Sequence, residues 1–281
     1  MVSFGVTIFA TDYSIQPVPL AKALEERGFD SVFVTEHTHI PASRTSPWPG
    51  GADLPPEYWH THDPFVALGA MAAVTENLKL GTGITLIPER DPILMAKVVA
   101  SLDFISNGRV LLGIGAGWNA EEMGNHGTAF ADRWKVTKER ILAMREIWNN
   151  EEAEFHGDFV NFDKIWAHPK PVQEGGPPIL IGADTKWAYP RVVDYADGWF
   201  PIYGRNDLAQ SMAQMRAVAD EAGRDMATIQ TGVFGVPARE EIVSELTEIG
   251  FERIAFRLPS ETEAEIMPRL DKYAALIASM S

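Results

Sequence analysis

Hydrophobic and polar positions along the chain follow two periods that take turns. "SFGVTIFA" puts Phe4, Val6 and Ile8 two apart, the period of a strand. "VPLAKALEERG" follows with helical spacing and closes at Gly28, a natural C-terminal cap. "DSVFVTE" is a second strand. "DPFVALGAMAAVTEN" is a helix with Asp63 as N-cap and Pro64 in its first turn. "LKLGTGITL" is a third strand, interrupted by Gly81 and Gly83, which mark a bend or a close approach to the backbone. "DPILMAKVVASLDFISNG" repeats the Asp-Pro start and ends on Asn107-Gly108. "RVLLGIGAG" is the fourth strand.

A long helix spans about Asp132 to Asn150, with Ile141, Met144 and Trp148 on one face. Beyond it the alternation resumes. "PPILIGAD", "DGWFPIY", "TIQTGVFGV" and "FERIAFRL" read as strands. "DTKWAYPRVVDYA", "LAQSMAQMRAVADEAG", "REEIVSELTEIG" and a tail from Glu263 to Met280 read as helices. Eight strands, each followed by a helix, in 281 residues predict a (β/α)₈ TIM barrel. A doubly wound sheet is the alternative, but it rarely needs eight parallel strands. No repeat or linker divides the chain, so residues 1–281 read as a single domain.

Two segments break the pattern. Residues 39–64 form a long loop after strand 2 with six prolines and the aromatics Trp48, Tyr58 and Trp59. Loops of this length in compact domains are functional or disordered, and this composition favours an ordered lid. Residues 154–176 read as a hairpin-like insertion before strand 5.

Composition narrows the partners. The net charge is −15, which argues against nucleic acid and against anionic membranes. No apolar run is long enough to span a bilayer, and the N-terminus lacks a basic region ahead of its apolar stretch. The absence of cysteine excludes disulfides, thiolate metal sites and a cysteine nucleophile. These features fit a cytoplasmic protein with a small-molecule partner.

A barrel keeps its chemistry at the C-terminal ends of its strands. Strand 2 ends in Thr35, Glu36 and His37, and a histidine there suits acid–base work. Strand 4 ends in Gly115-Ala116-Gly117-Trp118. Strand 5 runs into its helix through Gly182, Ala183, Asp184 and Thr185, where free N–H groups could hold an anion. By itself that signal is weak, because such a turn is more often plain helix capping. The His-Thr-His triplets at 37–39 and 60–62 could suggest a metal, but the later strand ends offer no histidine to complete one.

Taken together, "FVTEH", "DPFVALGAMAAVTENLKLGTGI", "DPILMAKVVASLDFISNGRVLLGIGAGW" and "GPPILIGADTKWAYPRVVDYADGWFP" resemble the bacterial-luciferase-like superfamily of flavin- and deazaflavin-dependent oxidoreductases. The resemblance covers residue 2 to beyond 200. It implies a cis peptide at Gly83-Ile84, with Ile84 backing the central ring of the cofactor. It implies cofactor contacts from Thr35, Gly83, Ile84, Gly115 and the turn Gly182–Thr185, with Asp184 capping the helix while neighbouring N–H groups bind phosphate. Glu36 and His37 match an acid and a histidine near the deazaflavin in the branch that uses coenzyme F420. Trp48, Tyr58, Trp59 and Trp118 would shape the substrate pocket. Sugar-phosphate dehydrogenases of that branch carry a glutamate just after the strand 4 glycines, whereas this chain has Trp118 there, with Glu121 and Glu122 further on. The expectation is hydride transfer between F420 and a small organic substrate, without a metal. An FMN-dependent monooxygenase using O₂ is the alternative, and a non-catalytic cofactor-binding barrel the second. Relatives often pair through the helices after strands 2 and 3, so a homodimer is expected.

Overall fold

The computed structural model describes residues 2–51 and 53–280. Strand β1 (Ser3–Ile8) is followed by helix α1 (Pro17–Glu26), then β2 (Ser31–Val34), α2 (Glu57–His60) and α3 (Pro64–Ala72). The third barrel position is split into β3 (Lys79–Thr82) and β4 (Thr85–Leu86), and α4 (Pro92–Ser106) follows. Next come β5 (Val110–Gly115), α5 (Ala120–Asn125) and α6 (Arg133–Asn149). The hairpin β6 (Ala153–His156) and β7 (Asn161–Ile165) precedes β8 (Ile179–Ile181), α7 (Ala188–Tyr195) and β9 (Gly198–Trp199). The chain ends with α8 (Leu208–Glu221), β10 (Gln230–Val236), α9 (Glu240–Ile249), β11 (Arg253–Arg257) and α10 (Glu263–Ser279).

The strands close into a ring. In order, β1, β2, β3, β5, β8, β9, β10 and β11 each pair in parallel with the next, and β11 pairs back with β1. This is a (β/α)₈ barrel. The hairpin β6–β7 is the insertion expected before the fifth barrel strand, and it lies outside the ring. No helix among the described residues is long and apolar enough to cross a membrane.

Local chemistry starts and stops the helices around the site. Asp63 accepts hydrogen bonds from the N–H groups of Phe65 and Val66, and Asp91 from that of Leu94. Each is followed by proline, whose missing N–H costs nothing in a first turn. Asn107, left-handed at φ 57°, closes α4. Gly250, at φ 107°, closes α9.

Two apolar layers hold the barrel. The larger lies between strands and helices. The smaller fills the interior with Phe33, Phe200 and Phe234 beside Leu111, Leu180 and Ala255. Phe33 meets Phe234 edge-on at 5.0 Å, and Phe200 lies 5.3 Å from Phe234. Gly81 makes room for this cluster: a Cβ there would stand 2.3 Å from Phe33 Cδ1. So the first of the two glycines in "LGTG" serves the interior packing, and the close approach it signals is a phenylalanine ring.

Candidate active site

At the C-terminal ends of the strands the barrel opens into a cavity of about 890 Å³. Its floor is Ile84. The Gly83–Ile84 peptide is cis, and Ile84 sits between β4 and its neighbours. Two glycines seat it. A Cβ on Gly115 would stand 2.5 Å from Ile84 Cδ1, and one on Gly182 would stand 2.3 Å from Ile84 Cγ2. With hydrogen in both places, the side chain lies flat across the ends of β5 and β8 and offers one apolar face to the cavity.

Around that floor stand polar groups from the strand ends. Thr7 and Thr35 end β1 and β2 on the cavity wall, and their hydroxyls are buried with no hydrogen-bond partner. Buried hydroxyls are normally satisfied, so two orphans on one wall mark a place for a polar ligand. His37 lines the same wall. Its Nδ1 lies 2.7 Å from Glu122 Oε2, which leaves Nε2 for a ligand. The imidazole is flanked by Tyr58 at 5.2 Å and Trp118 at 5.9 Å between ring centres. Burial pushes the Tyr58 phenol up from its ordinary value.

The described residues of the proline-rich segment form a lid over the cavity. Its helix α2 brings Tyr58 against Phe9 at 4.7 Å and Trp48 against Tyr58 at 5.7 Å. The lid is tied down at both ends. Thr61 Oγ1 donates to the His37 carbonyl at 3.0 Å, and Ser46 exchanges bonds with Glu121 and with the N–H of Ala120.

Several expected residues meet here: Thr35, His37, Gly83, Ile84, Gly115, Gly182, Ala183, Trp48, Tyr58 and Trp118 all line the cavity. Others do not. Trp59 is 48% exposed and belongs to the outer side of the lid, next to His60. Asp184 and Thr185 lie off the lining, and α7 begins only at Ala188, so the helix N-terminus is set back from Gly182. Asp184 caps nothing. It accepts from Tyr189 Oη at 2.8 Å, Asn206 Nδ2 at 2.8 Å and Ser211 Oγ at 3.0 Å, and so pins the turn to α8. Any phosphate held here would meet the backbone of Gly182 and Ala183 first.

Glu36 also lines the cavity, with its carboxylate engaged by protein groups. Its side chain is 1% exposed, and its carboxylate is taken by Arg90, by the Thr85 hydroxyl and by the Leu86 N–H. Arg90 bridges on to Asp63 at 2.6 Å, which ties the end of β2 to α3 and β4. Burial alone would lower the Arg90 guanidinium, but Glu36 and Asp63 outweigh it and hold it above its usual value. Glu36 thus lines the cavity with its carboxylate already held from behind by Arg90, Thr85 and Leu86.

The acid that does touch His37 is Glu122, fully buried on α5, which also accepts from the Thr38 N–H at 3.1 Å. Its signal in the sequence was its place three residues after Asn119. Asn119 caps α5 by accepting from the Glu122 N–H at 3.1 Å, and so aims that side chain. Arg205 and Arg257, on the cavity rim, were also missed. Arg257 ends β11, where the rule of strand ends would have found it.

The chain is a TIM barrel with a large cavity, a histidine–glutamate pair and a lid at its C-terminal mouth. Comparison with known proteins places it further. Residues 16–250 match the family described as luciferase-like monooxygenase, and the chain belongs to that family. Its members include F420- and flavin-dependent oxidoreductases and monooxygenases. An uncharacterized protein of Mycobacterium tuberculosis (strain ATCC 25618 / H37Rv) is 35% identical over 98% of both chains. The F420-dependent hydroxymycolic acid dehydrogenase of the same strain is 28% identical over 74% of this chain and 55% of that protein. Among solved structures, the monooxygenase RslO1 from Streptomyces bottropensis superposes with a TM-score of 0.78 at 18% identity, covering 99% of each chain.

Proposed function

We propose that the protein is an oxidoreductase that binds coenzyme F420 in the mouth cavity and moves hydride between it and a small, largely apolar organic substrate. The observation that carries this reading is the glycine-seated face of Ile84 beside the orphaned hydroxyls of Thr7 and Thr35. A planar heteroaromatic ring needs an apolar platform on one face and hydrogen-bond partners at its edge, and this wall offers both. The F420-dependent relative adds support for this cofactor over FMN.

Bound F420 supplies a hydride donor or acceptor at C5 of its ring. The chain does the rest. Ile84 would back the ring, and Gly182 and Ala183 form the stretch of wall along which the tail would run. Trp48, Tyr58 and Trp118 roof the cavity and exclude water, which strengthens every polar contact inside. His37 gives or takes a proton at Nε2 while Glu122 fixes its orientation through Nδ1. Arg205 and Arg257 reach the rim and pair with no carboxylate among the described residues, so a substrate with an anionic end would be held there.

Fluorescence titration of the apoprotein with F420 and, separately, FMN tests the reading. Tight F420 and weak FMN binding is the expected result. The reverse would transfer the protein to the oxygen-using monooxygenases of its family, to be assayed by oxygen uptake. Binding of neither would leave a non-catalytic barrel.

We also propose a homodimer through α3 and α4. Leu94 and Ile105 lie on one face of α4, 62% and 67% exposed, and Val66 on the adjoining α3 is 73% exposed. Solvent-facing apolar residues in such a run mark an interaction surface.

A further inference from the structure

Behind His37 lie two buried acids, Glu122 and Glu89, of which the proposed chemistry uses only the first, and only to orient the imidazole. Glu122 holds His37 Nδ1 at 2.7 Å with no solvent exposure. Glu89 follows β4 in the turn Ile87–Glu89. Its side chain is 1% exposed, and its Oε2 has no hydrogen-bond partner. Burial first, then the facing carboxylates of Glu122 and Glu36, push the Glu89 carboxyl up to about 9, against the opposing pull of Arg90. It carries a proton at neutral pH. The same Oε2 lies 3.8 Å from Nε2 of His126, whose side chain is 30% exposed. A turn of that ring or one bridging water closes the gap.

His126 has its own setting. Thr38 Oγ1 stands 2.8 Å from its Nε2 and 2.8 Å from His39 Nδ1. Burial and the neighbouring His39 lower the imidazole from its ordinary value, while Glu122 and Glu36 oppose that and Arg90 adds to it. Partly exposed, His126 stands between Glu89 and solvent, where it can pass a proton between them.

We propose that Glu122, Glu89 and His126 form a proton relay connecting His37 to solvent by a route that does not cross the cavity. The relay rests on the reading that His37 exchanges a proton with substrate. When substrate loses a proton, the substrate O–H bond breaks and an N–H bond forms at His37 Nε2. The Nδ1 proton passes to Glu122, and the proton of Glu89 passes to His126 and on to water. The acid pair keeps one proton throughout, no electrons move, and one proton reaches solvent. The reverse order delivers a proton to substrate. A purely structural side chain at this place would do better as glutamine: a buried carboxyl facing two others, with an orphaned oxygen, destabilises the fold.

Infrared spectra of the apoprotein against pH read the relay without any cofactor. The expected result is a protonated-carboxyl C=O band at neutral pH that fades as pH rises through about 9. Glu89→Gln should abolish the band, and Glu122→Gln should move its midpoint down. A wild-type protein without the band at pH 7, or a band that survives Glu89→Gln, overturns the proposal. In turnover with the bound cofactor, His126→Ala should lower kcat about tenfold with KM unchanged, and imidazole in the buffer should restore it. An unchanged kcat, or a loss that imidazole cannot rescue, also overturns it. Failure of both F420 and FMN to bind would count against the proposed function alone, since the infrared result needs neither.

Discussion

Replacing Gly182 with alanine tests the seat of Ile84. A Cβ at 182 would stand 2.3 Å from Ile84 Cγ2 and 3.6 Å from Ile84 Cβ. Carbon atoms rest at about 3.5 Å or more, so the methyl group must retreat by about 1.2 Å. Gly182 is not left-handed, so alanine adds no backbone strain and the clash is the whole perturbation. Retreat along the strand ends is limited, because Ile84 Cδ1 already lies where a Cβ of residue 115 would be, 2.5 Å away. The open direction is into the cavity, where the ring is proposed to lie. Overpacking of this kind costs about 1–3 kcal/mol. Where that cost falls on the bound state, every 1.4 kcal/mol is about tenfold in Kd.

The assay is F420 fluorescence titration of wild type, Gly182→Ala, Ile84→Ala and the double variant, with thermal melts of each to separate folding from binding. Gly182→Ala should weaken binding by about tenfold to a hundredfold. In the double variant the new methyl takes the space that Cγ2 vacates, so the two losses should fall short of additive by about 0.5 kcal/mol or more. Wild-type affinity in Gly182→Ala, or losses that simply add, would refute the reasoning that Gly182 exists to seat Ile84 beneath a ligand.

Other parts of the site predict their own outcomes. Arg90→Met leaves Glu36 buried without its ion pair and should cost about 3–5 kcal/mol in denaturant unfolding. Adding Glu36→Gln should recover part of that, and a loss below about 1 kcal/mol would mean the pair contributes little. Glu89 holds its proton more tightly folded than unfolded, so its contribution to stability is full below the unfolded value of 4.5 and is lost as pH rises towards about 9. Melting temperature should therefore fall over that window in wild type more steeply than in Glu89→Gln, and parallel curves would refute the assignment. Leu94→Asp with Ile105→Asp should yield monomers in sedimentation if α3 and α4 carry the dimer, and an unchanged mass would remove that surface from consideration.

Most of the fold was legible because its signals are local. Asp63-Pro64 and Asp91-Pro92 start their helices by side-chain chemistry that any nearby backbone would obey. Short apolar runs alternating with helix signals marked the eight barrel strands, only the first of them by a clear period of two. The start of α7 was misjudged, because Asp184 reads as a helix cap and its partners Asn206 and Ser211 lie more than 20 residues away. Trp59 failed for a related reason. A lid's aromatics share one composition, but the turn of α2 sends Tyr58 inward and its neighbour outward. Thr7 and Thr35 became significant only when their hydroxyls proved to lack partners, which is a property of the folded wall and not of the sequence.

The adjacent pair Glu36-His37 shows why strand ends can mislead on roles even where they are right on place. Both sit at the mouth, as the barrel rule requires. Yet Arg90, two elements away, takes up the carboxylate of Glu36, while Glu122, on α5, is the acid in contact with His37. The swap gives the mouth two layers. The cavity is lined by Ile84, Trp118, Tyr58 and the hydroxyls of Thr7 and Thr35, together with His37, Glu36 and the arginines Arg205 and Arg257. Glu89 and Glu122 lie directly behind it, and with Glu36 they make three buried carboxyl groups with Arg90 among them. If all three were ionised beside one cation, mutual repulsion at low dielectric would oppose the fold. One retained proton resolves that conflict, and Glu89, the acid with the orphaned oxygen, is where the geometry puts it. A proton held for electrostatic reasons two groups away from the reacting histidine is then available to chemistry as well. A net charge of −15 says only that acids are plentiful; their function here depends on which three the barrel buries.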